Sequence, residues 1–288
     1  MRREFWRRTR APRHRRRPRL TRRGRIVLLT GAFALVATGV LLPLLLLRDP
    51  PPVEPPPKET RTLVIPEGWR AAQVYAAVDE SLGAPPGTTE AAAAALADRL
   101  PPEAGGNPEG FLFPATYPVD DTTTPESLLR YMVRTAGERF AGDRITEGLR
   151  RGGRGLYETV AIASIVQAEA DSPEDMGKVA RVIHNRLALG MALQMDSTLN
   201  YALNRSTLDT SHADTRIESP YNTYARTGLP PTPIGNPGED AMHAAVEPTP
   251  GDWLYFVTVK PGDTRFTDSY AEQTKNVQEF NQHRRSAS

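Results

Sequence analysis

The sequence predicts an α+β protein with a single N-terminal transmembrane helix, a small α/β subdomain, and a mixed α+β domain holding a buried helix and a C-terminal β-hairpin. Three observations predict it. An uncharged apolar run of 22 residues, 26–47, follows an arginine-rich start. Beyond it, segments with helical spacing of apolar residues alternate with short β-type runs. Near the end, WLYFVTV is separated by Pro261-Gly262-Asp263 from a second extended run at 264–267, which is the signature of a hairpin.

The apolar run is long enough to span a bilayer. Residues 1–25 hold 13 arginines and one glutamate, whereas 49–288 hold 22 basic and 33 acidic residues. The positive-inside rule therefore makes 1–25 a cytoplasmic tail, 26–47 the membrane helix, and the remainder extracytoplasmic. The arginines also suit the anionic lipid of the cytoplasmic membrane. A cleaved signal peptide is the competing reading, but the run is long for one and no small-x-small site follows it. No nucleic-acid-binding module accompanies the arginines, so nucleic acid is not an expected partner. The chain has no cysteine, which excludes disulfides, zinc-thiolate sites and cysteine nucleophiles.

Residues 48–60 (RDPPPVEPPPKET) form a proline-rich, semi-rigid linker. In the small α/β subdomain, 61–100, TLVIP is a strand and Pro66-Glu67-Gly68 a turn. A helix over 70–82 carries Val74, Tyr75 and Val78, and an alanine-rich helix with a hydroxyl cap starts at Thr88. The larger domain occupies 101–288. Its first segment, PEGFLFPATYPV over 108–119, is aromatic and broken by proline, and reads as an ordered loop. Helices follow over 125–140 and 156–170, the second nearly all apolar and hence buried. The next helix has Ser172 as cap, Pro173 in its first position, Asp175 in the first turn and Gly190 past its end, with Met176, Val179, Ile183 and Leu187 as its inward stripe. A short mixed segment, 191–201, precedes a long Pro/Gly-rich loop over 219–238, a length that usually marks function or disorder. A polar helix over 270–283 follows the hairpin.

On the helix 156–170, Glu158, Ile162, Ile165 and Glu169 fall on one stripe and Gln167 faces away. Glu169 is thus a carboxylic acid on the last turn of an apolar helix. Desolvation and the negative end of the helix dipole both disfavour its ionised form, and a protonated glutamate is what a general acid requires. The alternative is a glutamate that reaches solvent or pairs with Arg181 or Arg186. The five histidines show no metal-ligand spacing, and His184 reads as a packing or hydrogen-bonding residue. No glycine-flanked nucleophilic serine and no phosphate-binding glycine loop is present. No metal and no cofactor is expected.

Five collinear blocks, PEGFLFPATYPV, ASIVQAEA, VARVIHNRLALGMALQMDSTLNYAL, SPYNTYARTGLPPTPIGNPG and WLYFVTVKPGDTRFTDSYAEQTKNV, behind a single-pass anchor, resemble the endolytic lytic transglycosylases of bacterial cell-wall synthesis, the MltG or YceG-like proteins. The resemblance spans roughly 64–280. It implies a membrane-anchored lyase that cuts the β-1,4 MurNAc–GlcNAc bond of nascent peptidoglycan strands, leaves 1,6-anhydro-MurNAc ends and so limits strand elongation. It also implies that Glu169 is the catalytic residue. Many relatives carry a second glutamate where this chain has Gln167. Longer relatives carry a LysM-like module before the catalytic domain, and 61–100 resembles only its membrane-distal part.

Gln194, Asp196, Ser197, Tyr221, Asn222, Thr223, Tyr224 and Glu109 are candidate substrate contacts. Amides and hydroxyls bond sugar hydroxyls, and aromatic faces stack on pyranose rings. Each has a plainer reading: Asp196 and Asn222 as turn caps, Tyr117 and Tyr221 as core, Glu109 as a turn residue. The implied partners are peptidoglycan glycan strands, the cytoplasmic membrane, and penicillin-binding proteins or other glycan synthases. Two alternatives stand beside the enzyme. One is a non-catalytic anchored peptidoglycan-binding or scaffold protein of the synthesis machinery. The other is a cytosolic lyase of small aromatic metabolites, which the anchor, the proline linker and the lack of a cofactor lysine oppose.

Overall fold

The computed structural model describes residues 61–205 and 211–287, together with Thr21, Arg22, Arg23, Ile26, Val27, Thr30, Gly31 and Val36 near the N-terminus. Most of the expected membrane helix, 26–47, and the whole of the linker, 48–60, lie outside the described residues. Among the described residues no helix is long and apolar enough to cross a membrane. Residues 58–288 form one compact unit.

Strand β1 (Arg61–Val64) leads through the Glu67-Gly68 turn into helix α1 (Ala71–Leu82), which buries Val74 and Val78. Helix α2 (Thr88–Ala93) does not continue as an α-helix; it tightens into a 3₁₀ turn over Ala94–Arg99. Its cap also differs from the expected hydroxyl. Asp79 of α1 accepts from the backbone N–H of Gly87 (2.8 Å) and Thr89 (2.9 Å) and from Thr89 Oγ (2.6 Å). A carboxylate from the preceding helix thus satisfies the free N–H groups that a local side chain was expected to take.

The segment 108–119 is not loop throughout. Its end, β2 (Thr116–Val119), pairs antiparallel with β1, Arg61 opposite Val119 and Val64 opposite Thr116. The partner strand lies more than 50 residues away, and Pro118, which lacks an N–H, is tolerated because this sheet has only two strands. Tyr117 is buried core, its hydroxyl donating to the Phe113 carbonyl (2.5 Å).

Helix α3 (Pro125–Phe140) is closed by a reciprocal Thr124–Ser127 cap. The next helix, α4 (Asp143–Gly152), is not among the expected elements, although an acid in its first turn, arginines in its last and Gly153 beyond it are ordinary helix signals. Helix α5 (Leu156–Glu169) is the centre of the fold, buried without interruption from Thr159 to Val166. It packs on α6 (Pro173–Ala188) and on α8 (Glu239–Val246), another helix missing from the sequence reading. Being covered on all sides, α5 shows no amphipathic stripe, as expected for an interior helix. In α6, Ser172 Oγ accepts from Asp175 N (3.2 Å), and Met176, Val179 and Ile183 are buried. The mixed segment becomes helix α7 (Asp196–Ala202). Strands β3 (Tyr255–Lys260) and β4 (Asp263–Thr267) form the expected hairpin, and α9 (Tyr270–Ala287) packs on β3.

Candidate active site

The site forms where α5 stops. Ala170 leaves the helix in an extended conformation, and α6 begins three residues later. The acidic end of one helix therefore lies beside the N-terminus of the next. Glu169, the last residue of α5, meets the start of α7: its Oε1 accepts from Ser197 N–H (3.2 Å) and from Ser197 Oγ–H (2.6 Å). Glu169 keeps part of its surface open, but burial is the largest influence on its carboxyl group and pushes its pKa up. The two bonds from Ser197 oppose that rise, and the neighbouring Asp196 charge adds to it.

With both donors of Ser197 on Oε1, that oxygen is the carbonyl-like one, and the proton of the neutral acid belongs on Oε2. Glu169 also lines a cleft of about 490 Å³, walled by Asp171 ahead of α6, by Glu174, Asp175 and Lys178 in its first turns, and by the hairpin tip (Pro261, Gly262, Asp263). Neither cation that might have neutralised it is engaged there. Arg181 donates to the Thr249 and Pro248 carbonyls, and Arg186 to those of Leu254, Ala192 and Leu193.

The structure gathers Asp196, Ser197 and Tyr224 at this acid. The Tyr224 hydroxyl donates to Asp196 Oδ1 (2.6 Å), and burial with that carboxylate raises its own pKa. Gln194 lies just outside, with a positive φ of 53° that is rare for a residue bearing a side chain. Such backbone costs on the order of 1–3 kcal/mol and gathers at functional sites. Gln194 N–H donates to the Thr223 carbonyl (2.9 Å) and its Oε1 accepts from Arg186 Nη1 (3.2 Å).

Four of the candidate substrate contacts make hydrogen bonds within the protein. Asn222 is fully buried, donating to the Thr215 and Ile217 carbonyls and accepting from Tyr224 and Ala225 N–H, which is its turn-capping reading. Buried Thr223 accepts from Met195 N–H (3.0 Å) and pairs with Thr198 Oγ (2.9 Å), fastening the loop to α7. Tyr221 packs against Tyr201, ring centres 5.0 Å apart, and its hydroxyl bonds Thr232 Oγ (2.9 Å). Glu109 is only 4 % exposed and caps α1 through Ala71 N–H (2.9 Å), with Tyr201 Oη donating to its other oxygen (3.0 Å). Burial holds its pKa up at about 7.

Gln167 faces away from Glu169, as its position on the helix requires, and its Oε1 accepts from Gly238 N–H (2.9 Å) at the start of α8. His184 is a hydrogen-bonding residue, its Nε2 2.9 Å from the Ala245 carbonyl. The sequence reading missed two organising residues. Asn236 is fully buried, accepting from Leu112 N–H and donating to the Trp69 carbonyl, both 2.8 Å. Arg186 is 6 % exposed, and its place three residues after Ile183 on the inward stripe of α6 was the available signal. Among the described residues no group of three or more metal-ligating side chains converges.

The family model of the YceG-like family matches residues 44–279. The chain belongs to the YceG-like family. Among curated members, the endolytic murein transglycosylase of Bacillus subtilis (strain 168) is 34% identical over 173 residues, 60% of this chain and 48% of that protein. The endolytic murein transglycosylase of Streptococcus pneumoniae serotype 2 is 34% identical over 177 residues, 59% of this chain and 32% of that protein. The chain thus spans half or less of the length of these two curated relatives. A YceG-like protein of Listeria monocytogenes, known from a crystal structure at 2.6 Å, is 30% identical with a TM-score of 0.64 over 75% of each chain.

Proposed function

We propose that this YceG-like chain is a membrane-anchored endolytic peptidoglycan lytic transglycosylase with Glu169 as its acid/base. One observation carries the reading: Glu169 lines the cleft, and its carboxyl, raised by burial, has one oxygen fixed by Ser197. The protonated oxygen donates to the glycosidic oxygen as the MurNAc–GlcNAc bond breaks. The resulting carboxylate then takes the proton of the muramic C6 hydroxyl as that oxygen bonds its own anomeric carbon, leaving a 1,6-anhydro end. Because the nucleophile is already part of the substrate, one carboxyl group serves both steps. A hydrolase sets a second carboxylate across the sugar from the acid. Asp196, beside Ser197, already accepts from Tyr224, and among the carboxylates that share the cleft wall with Glu169, Asp263 is paired with Arg265 and both Glu174 and Asp175 with Lys178. Anchored by 26–47, the acid reaches nascent strands close to the outer face of the cytoplasmic membrane, where penicillin-binding proteins make them.

The test is digestion of purified glycan strands with the products read by mass spectrometry. Wild type yields 1,6-anhydro-MurNAc ends, and Glu169→Gln lowers their rate by at least about 10²-fold. Equal yields from the two proteins refute the assignment of Glu169. No cleavage by either leaves the non-catalytic scaffold reading, and reducing ends in place of anhydro ends make the enzyme a hydrolase. A topology reporter fused after Ser288 that is active on the cytoplasmic side overturns the localisation.

A further inference from the structure

A partly exposed strip leads away from Glu169 beyond its contact with Ser197. Ser197 and Asp196 begin it, and Tyr224, bonded to Asp196, continues it. Next comes Gln194, whose side chain is held by Arg186 Nη1. The Arg186 guanidinium lies 5.2 Å from the centre of the Tyr255 ring, and the Tyr255 ring lies 5.8 Å from that of Tyr270, tilted by 58°. Tyr255 is half-buried, whereas Tyr270, the first residue of α9, is 72 % exposed. The hairpin explains how far this reaches. Its tip walls the cleft beside Lys178, near the start of α6, whereas Tyr255 at its base stands on Arg186, near the end of α6. Lys178 and Arg186 lie eight residues apart on α6, about 12 Å at helical rise.

We propose that Tyr255 and Tyr270 form a distal stacking subsite for a sugar ring of the same glycan strand whose scissile bond lies at Glu169. The inference rests on the proposed cleavage reaction and adds a reason for acting within long strands. The exposed ring faces are amphipathic, apolar on the face and polar at the hydroxyl, which matches the C–H face and hydroxyl rim of a pyranose. The cation beneath Tyr255 holds that ring while its own Nε and Nη1 donate to the Leu254, Ala192 and Leu193 carbonyls and to Gln194. Gln194 and the two tyrosine hydroxyls supply neutral donors and acceptors of the kind sugar hydroxyls and acetamido groups need. A chain of contacts through Ser197, Gln194 and Arg186 links the two rings to the acid, so one extended polysaccharide is the occupant that its chemistry and direction fit.

The experiment compares long, peptide-free glycan strands with short oligosaccharides that cover only the cleavage site, using the full chain. Tyr270→Ala is expected to lower the preference for long over short strands in kcat/KM by about fivefold to tenfold, through KM, a size set by one ring contact. Tyr270→Phe, which keeps the ring, retains the preference. A second arm measures binding of long strands to Glu169→Gln, alone and combined with Tyr270→Ala. Weaker binding of the double variant supports the subsite even if wild type proves not to cleave glycan. If wild type cleaves and Tyr270→Ala changes neither the strand preference nor binding, the subsite falls and the proposed activity stands. An equal loss on long and short substrates also overturns it.

Discussion

At the residue scale, Ser197 opposes the burial that holds Glu169 neutral. Its hydroxyl donates to Glu169 over 2.6 Å and favours the ionised carboxylate, against the burial that favours the neutral acid. Removing the hydroxyl leaves burial less opposed. Ser197→Ala is therefore expected to raise the pKa of Glu169 further and to move the basic limb of the kcat/KM profile to higher pH. At the optimum, kcat falls about tenfold, because a hydrogen bond to a charged group also fixes its direction. A pH–rate profile of both proteins checks this, and a basic limb that moves to lower pH rejects it. Gln194 makes a separate point at this scale. No sequence rule would assign a left-handed conformation to a glutamine; it follows from Thr223 and Arg186 gripping its backbone and side chain from elsewhere in the chain.

At the element scale, α5 decides where the acid stands, and the segment 108–119 keys into it. Gly110 has φ +87°, and a Cβ there would sit 2.7 Å from Val160 of α5 and from Pro233 of the long loop. Gly110→Ala is thus both conformationally strained and overpacked. It is expected to lower stability by about 3 kcal/mol, seen as a lower denaturant midpoint, and to reduce activity because Pro233 belongs to the loop that carries Tyr224. Wild-type-like unfolding would show that the segment yields freely. Well-punctuated helices were legible at this scale: 125–140 was read with its final bounds, and α6 with its cap and its stop. α4 was legible from its own first-turn acid, last-turn arginines and Gly153, whereas the other differences share one cause, dependence on distant partners. Strand β2 exists because β1 lies beside it, and α2 is capped by a carboxylate of α1. The alanine run after α2 has helical propensity throughout, yet tightens where it packs, because packing overrides propensity.

At the scale of the whole molecule, Glu109 ties three distant parts together: the start of α1, Tyr201 of α7, and Asn236 at the end of the long loop. Burial raises its pKa from 4.5 to about 7. The folded protein therefore keeps this proton over a pH range in which the unfolded chain releases it. The stability this gives is complete below about pH 4.5 and is lost as pH rises through about 7. Wild type is expected to lose on the order of 3 kcal/mol across that window relative to Glu109→Gln, which cannot ionise. Denaturant unfolding of both proteins at several pH values measures the difference, and parallel curves would refute it.

The sequence alone determined that a long apolar run stands behind an arginine-rich start, that an apolar helix ends in a carboxylic acid at Glu169, and that a hairpin and a polar helix follow. These are statements about local period, charge and punctuation, and local rules suffice for them. Only the tertiary structure decided which groups surround the acid. Ser197 could bind substrate or hold Glu169, and Asn222, Thr223 and Glu109 could face a cleft or the core. A polar side chain takes whichever partner the fold brings within hydrogen-bonding distance, and that is set by the packing of distant segments, which no local pattern encodes.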